Sequence, residues 1–372
     1  MKISFARNSR LCLLICLLVP FLLEFAGSPS KAKGKSMHHS VRSGGGNPDV
    51  LGQQAISAYQ RRDFAHAYDL FKQCAKLEPR DSSFQFYLGM SALQLSKYDD
   101  AEHALCRVIV MSSPDSEFAT IAKQTFKSWK AQFHGIQPYS QVTNSDLMRW
   151  DKSKGPIKVW VSNGLQLPEG YRGPELTNEK CKYLYSLIDR ADFTQKLTGV
   201  EHYFPEYQQI VKDGINDWGW IKEEGMGSIE LVDDPRKADV VYYWCAQWGG
   251  GHVGMVFYPW RNNDSARCIA IIETEYLRQL GQRASRELRK TSAHEFGHIL
   301  GLNVHSDNPD DVMYGAPGRA MTWMESKQYS LASSVSRNDF VTLRALYELP
   351  PDQTFEPRGA QPAAPKKSPK RH

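Results

Sequence analysis

Thr291-Ser-Ala-His294-Glu295-Phe-Gly-His298-Ile-Leu-Gly301-Leu-Asn-Val-His305-Ser306 is the stretch from which the second half of the chain can be read. His294 and His298 stand four residues apart, one helical turn, so a helix here presents both imidazoles on one face. Neutral ring nitrogens on that face can hold one zinc ion at about 2.0–2.1 Å. Glu295 lies next to the first His and can reach a water on such an ion without being a ligand. Gly301 can end the helix because it tolerates positive φ, and the turn that follows can return His305 as a third ligand. Three protein ligands leave a fourth position for water, which is what a catalytic zinc needs. The short His-Glu-x-x-His pattern arises by chance in on the order of 1% of chains this long. Here Gly301, His305 and a downstream Met313 accompany it. Asp307 is a lesser candidate for the third ligand, since catalytic zinc also accepts carboxylates.

Upstream of this helix, expected over about 285–302, the pattern is mixed. Ile157–Val161, Ser228–Val232, Ala238–Trp244, Val253–Tyr258 and Cys268–Glu273 read as strands, and Tyr207–Ile221 has helical spacing. A closing helix is expected over Ser336–Tyr347. This order predicts one sheet with few helices.

With the third His and Met313, the segment resembles the metzincin proteases and, within them, the matrixins. Asp311-Val312-Met313-Tyr314 is similar to that family's Met-turn, eight residues after His305. The resemblance covers about residues 156–349. It implies that His294, His298 and His305 are zinc ligands and that Glu295 is the general base. Three departures stand out. Val304 occupies the family's usual place for the third His, so a one-residue bulge is expected before His305. Met255 and Cys268 stand where structural-zinc ligands often lie in animal matrixins, so one catalytic zinc is expected and neither a structural zinc nor a calcium. No cysteine-switch propeptide is present.

Residues 48–115 carry a 34-residue period: Ala55 matches Gly89, Tyr59 Leu93, Phe64 Tyr98, Ala67 Ala101 and Phe71 Leu105. Small residues fall where two helices of a hairpin touch, and aromatic residues where they fill the gap. The stretch resembles two tetratricopeptide repeats. Residues 116–132 are expected to add a helix that closes the stack, giving an all-α module over 48–135. The family resemblance implies a groove for a peptide or partner protein; a spacer packed on the next domain is the alternative.

The net charge of +5 is unevenly placed. Residues 1–27 carry +2, residues 28–47 +4 and residues 350–372 +3, leaving −4 for residues 48–349. A basic nucleic-acid-binding domain is therefore not expected. Lys2, Arg7 and Arg10 precede a 13-residue apolar stretch, Leu11–Leu23, and small residues Ala26-Gly27-Ser28 follow. That is shorter than the roughly 20 residues of a spanning helix, so residues 1–27 read as a secretory signal peptide, with an uncleaved anchor as the alternative. No other stretch can span a membrane. Residues 28–47 read as a flexible linker, in which His38 and His39 are solvated, and residues 350–372 as a disordered basic, Pro-rich tail. Five cysteines remain after signal removal, an odd number that leaves at least one free thiol or an intermolecular bond. Trp218, Trp220, Trp244, Trp248 and Trp260 are expected in packing rather than in a carbohydrate platform.

The expectation is an α+β chain: an all-α tetratricopeptide-like module, then a metzincin (zincin-like) catalytic domain with a mixed twisted sheet and long helices. It is read as a secreted or extracytoplasmic zinc metalloendopeptidase acting on protein or peptide substrates, with a possible partner protein at the repeats. The alternative is a non-catalytic protein-binding scaffold with an inert metal site.

Overall fold

The computed structural model of the chain describes residues 47–142, 147–172, 176–248, 253–258, 267–315 and 334–358. The expected signal peptide, the linker up to residue 46 with His38 and His39, Gly249-Gly250-Gly251, Trp260 and the tail from residue 359 lie outside the described residues.

Five helices come first: α1 (Pro48–Gln60), α2 (Phe64–Leu77), α3 (Ser82–Gln94), α4 (Tyr98–Met111) and α5 (Glu117–Ser128). Four of them start on a side-chain cap, with Asn47, Asp63, Asp81 and Ser116 accepting from first-turn N–H groups. The period of the sequence reappears in the backbone. Arg62 and Ser96, in the α1–α2 and α3–α4 turns, both adopt left-handed φ values, 61° and 58°. Each turn closes with the next residue's N–H, Asp63 or Lys97, bonding to Ala58 or Ala92. Ala55, Ala67 and Ala101 are fully buried between neighbouring helices.

The second half is built on β1 (Met148–Trp150), β2 (Ile157–Gln166), α6 (Asn178–Ile188), β3 (Thr198–Gly199), α7 (Tyr207–Asn216), β4 (Ile229–Leu231), β5 (Val240–Cys245), β6 (Gly254–Phe257), β7 (Cys268–Glu273), α8 (Thr274–Leu280), α9 (Ala284–Leu300), α10 (Arg337–Glu348) and β8 (Gln353–Phe355). Six strands form one sheet in the order β3-β2-β5-β7-β6, with β4 also pairing β2. The β2–β4, β2–β5 and β5–β7 pairs are parallel; the edge pairs β2–β3 and β6–β7 are antiparallel. The runs Val-Val-Tyr-Tyr-Trp-Cys of β5 and Cys-Ile-Ala-Ile-Ile-Glu of β7 are buried at every position, as central strands covered on both faces must be. Their alternation divides the core. Val240, Tyr242, Trp244, Ala270 and Ile272 pack with the α7 and α9 side. Val241, Tyr243, Ile269 and Ile271 pack with Cys181, Leu184, Tyr185 and Ile188 of α6 on the other face.

Several elements differ from expectation. The Tyr207–Ile221 helix stops at Asn216 and re-forms as a short 3-10 turn over 219–221, because the indole of fully buried Trp218 is anchored to the Ala293 carbonyl at 2.8 Å. The stretch 350–358, expected to belong to a disordered tail, is structured: β8 pairs in parallel with β1, and Asp352 accepts from Leu147 N–H at 2.9 Å. Trp218, Trp244 and Trp248 are core residues, and Trp220 packs on Phe340 at 4.5 Å between centroids. Cys74, Cys106, Cys181, Cys245 and Cys268 are all buried free thiols. Among the described residues no helix is long and apolar enough to cross a membrane.

The two halves share one continuous hydrophobic core. Glu102 of α4 pairs with Arg344 of α10 at 2.6 Å, while His103 and Arg107 both reach Glu348, at 2.5 and 3.1 Å. Segment 133–142, which leaves α5, buries Phe133, Ile136 and Tyr139 in the same core.

Candidate active site

Helix α9 delivers His294, Glu295 and His298. It ends where expected: Gly301 takes φ +114°, and a side chain there would also run into the Met148 carbonyl, so both conformation and space call for glycine. Gly301 N–H bonds to His298 O and Leu302 N–H to Gly297 O, satisfying the last turn. The chain then doubles back and carries His305 over the helix.

The three imidazoles converge. Ring centroids lie 4.8 Å apart for His294–His298 and 5.0 Å for each pair with His305. One ligand atom from each falls within 4.8 Å of the others, and among the described residues this is the one such cluster. His294 Nδ1 lies 2.8 Å from the Val312 carbonyl, and His298 Nδ1 2.6 Å from the Leu302 carbonyl. A carbonyl only accepts, so both Nδ1 atoms carry the proton and both Nε2 lone pairs are free for a cation. His294 Nε2 and His305 Nε2 stand 3.1 Å apart. Two nitrogens on one tetrahedral zinc lie about 3.3 Å apart, given bonds of about 2.0–2.1 Å, so the donor set fits that ion. Burial lowers the pKa of all three rings, that of His298 to about 4, and their mutual repulsion adds to this for His294 and His298. They are therefore neutral, in ligand form, at neutral pH. Asp307, the lesser candidate, is exposed and stands outside the cluster.

Glu295 is buried, and burial pushes its carboxyl up to about 8. It sits between α9 and edge strand β6. A Cβ added at Gly254 of β6 would lie 2.8 Å from both Cγ and Cδ of Glu295 and closer still to Oε1. Glycine at 254 is thus what leaves room for the carboxylate. A glycine inside a strand signals close approach of another group, and this clue was available in the sequence.

Beneath the triad, Met313 is fully buried, and Gly297 on the helix leaves space for its sulfur. Two buried carboxylates hold the 306–313 turn. Asp311 accepts from Ser306 Oγ at 2.5 Å, Asn308 Nδ2 at 3.1 Å, Ser336 Oγ at 2.7 Å and Asn338 Nδ2 at 3.1 Å. Asp339, the third residue of α10, accepts from Val312 N–H at 2.8 Å and from Tyr139 Oη at 2.8 Å. The turn that places His305 and Met313 is thereby tied to α10 and to the segment after α5. Ser306 N–H also donates to Met313 O at 2.8 Å.

Comparison with curated proteins and with solved structures returns no match. Among family models, Matrixin, a peptidase family, matches residues 217–348. That span contains α9, the Met313 turn and all of α10; it indicates a zinc-using metallopeptidase, and together with the converging histidines it fits a matrixin-type metzincin catalytic domain.

Proposed function

We propose that the chain is an exported zinc-dependent metalloendopeptidase, with His294, His298 and His305 as zinc ligands and Glu295 as general base. The observation that carries this reading is the convergence of three neutral imidazoles, two with Nε2 freed by a carbonyl on Nδ1, next to a buried carboxylate that is no part of the triad. A zinc ion held there would supply Lewis-acid polarisation of the scissile carbonyl and a water with its pKa lowered to about 7. Glu295, which burial alone holds neutral, would be ionised beside a cation bound by the triad and so able to accept a proton. Glu295 takes the proton from the attacking water and passes it to the leaving amine. Strand β6, the edge of the sheet among the described residues and packed beside α9, would take an extended peptide along that edge through main-chain hydrogen bonds with weak sequence demand.

The helical module is read as a tetratricopeptide-like stack that docks substrate or partner, supported by its 34-residue period and the matching left-handed turns at Arg62 and Ser96. Export is supported by the charged, apolar and small-residue pattern of residues 1–27. The test is zinc stoichiometry and cleavage of a fluorogenic peptide library by the full chain, with Glu295→Ala beside it. The variant is expected to keep zinc and lose hydrolysis. Zinc-loaded protein that cleaves nothing favours the binding-scaffold alternative, and hydrolysis retained by Glu295→Ala places the base elsewhere.

A further inference from the structure

His294 and His298 are held by a rigid helix, but His305 sits on a return loop with one residue more than the related proteases use. Its two flanks are pinned by different parts of the chain. On the C-terminal side, Ser306 pairs with the Met313–Tyr314 turn. On the N-terminal side, the partner comes from the segment after the helical module. Gln141 Nε2 donates to the Val304 carbonyl at 3.0 Å, and Val304 N–H donates to Gln141 Oε1 at 3.1 Å. The side-chain amide thus makes the two-point contact that a neighbouring strand would make.

Gln141 is itself fixed. It is 2% exposed, and its own N–H donates to Val110 O at the end of α4 at 2.8 Å. Next to it, Ser140 Oγ donates to Ser112 O at 2.7 Å. A continuous path therefore runs from the end of α4 through Gln141 to the residue before His305. Residue 141 lies outside the span matched by the family, whose match begins at 217.

We propose that Gln141 is a positioning residue for the third metal ligand, and that through it the end of the helical module sets the geometry of the metal site. This rests on the reading of the triad as a zinc site. The side-chain hydrogen bonds of Gln141 go to backbone groups, not to the triad; it acts by fixing the Val304 backbone, and with it the place from which the His305 imidazole reaches inward. Loss of a group bonded directly to a ligand typically weakens metal binding by about 10–100-fold, and Gln141 acts one step further out, through the Val304 backbone, so the lower end of that range is expected.

The test is made on the full chain with Gln141→Met, which keeps volume and burial but loses both hydrogen bonds, and with Gln141→Glu, which can still accept from Val304 N–H but, when ionised, sets a second acceptor oxygen against the Val304 carbonyl. Zinc affinity is measured by competition with a chelator, and ligand geometry by the d–d absorption of the cobalt(II)-substituted protein. The expected result is a zinc Kd raised about 10-fold in Gln141→Met, with a shifted cobalt spectrum and wild-type near-UV circular dichroism, and a rise at least as large in Gln141→Glu. A folded Gln141→Met protein with zinc Kd within twofold of wild type and an unchanged cobalt spectrum overturns the proposal. If that variant does not fold, Gln141→Glu is judged by the same criteria. Wild-type protein that binds no zinc overturns the zinc reading itself, a different outcome from wild-type binding that the variants leave untouched.

Discussion

Gly254→Ala probes the carboxylate without touching any residue given a chemical role. The new methyl carbon would lie 2.8 Å from Cγ and Cδ of Glu295, where ordinary contact begins near 3.4 Å, and it would overlap Oε1 more severely. Strand β6 is held to β7 by the Gly254–Ile272 pairing, and α9 is packed on the sheet, so the side chain must give way. The carboxylate then retreats by roughly 1 Å, a displacement that costs about 10²-fold where reacting groups must be aligned. The ceiling is the whole contribution of a general base, about 10²–10⁴-fold. Stability should fall little, because a rotated Glu side chain costs only about 0.5–1.5 kcal/mol. The expected phenotype is therefore kcat/KM on a fluorogenic peptide down about 10²-fold, with zinc content unchanged and only a small fall in Tm. Activity within threefold of wild type in a folded, zinc-loaded Gly254→Ala protein would refute the placement of Glu295 against β6. Loss of zinc would show instead that Gly254 serves the packing of α9.

His305→Ala is expected to abolish tight zinc binding while Asp307→Ala leaves it within twofold, as competition with a chelator will read; the reverse pattern makes Asp307 the third ligand. Asp339→Ala leaves the N–H of Val312 and the hydroxyl of Tyr139 without their buried acceptor; the expected cost is about 3 kcal/mol, seen as a lower denaturant midpoint, and a change below about 0.5 kcal/mol would contradict the tie between α10 and the Met313 turn. Burial raises the Asp239 carboxyl from 3.8 to about 6, despite the Lys158 and Arg358 N–H groups it accepts from. Its folded pKa is the higher one, so its contribution to stability is complete below its ordinary pKa and is lost as pH rises through about 6; the carboxyl carbon signal missing in Asp239→Asn is expected to titrate near pH 6, and a midpoint below 5 counts against this. N-terminal sequencing of the exported protein is expected to begin shortly after Gly27, and Met1 retained on a cytosolic species would end the export reading.

What was legible in the sequence was local. His294, His298 and Glu295 follow from helical spacing, Gly301 from the demands of a C-cap, and β5 and β7 from short apolar runs, because each signal is complete within one element. Helix α6 was legible but not read: Cys181, Leu184, Tyr185 and Ile188 have the spacing of one buried helical face, and all four are buried. The polar framework of the site was not legible. Asp339 bonds Tyr139 at a separation of 200 residues, and Gln141 bonds Val304 at 163. A buried carboxylate or amide looks in sequence like any surface residue until the fold supplies its partners. The extra residue before His305 could be counted, but the amide that bonds Val304 belongs to residues 136–155, which fall in neither of the modules expected from sequence.

The ties across the chain bear on which fragment can carry the activity. The resemblance suggested two separable modules, near 48–135 and 156–349. Yet Tyr139 and Gln141, between those limits, hold Asp339 and Val304. Strand β1 pairs with β8 beyond residue 349, and Arg80 of the helical module bonds Asp352 at 2.8 Å. A fragment beginning at 156 loses β1, the Trp150 indole bonded to the Ile299 carbonyl at 2.9 Å within α9, and Gln141 together. One ending at 349 strips the partner from β1. The supports of the candidate metal site thus extend from Val110, at the end of α4, through Gln141 and Trp150 to β8 at Phe355, and the end of the helical module is part of what that site stands on, whatever else it binds.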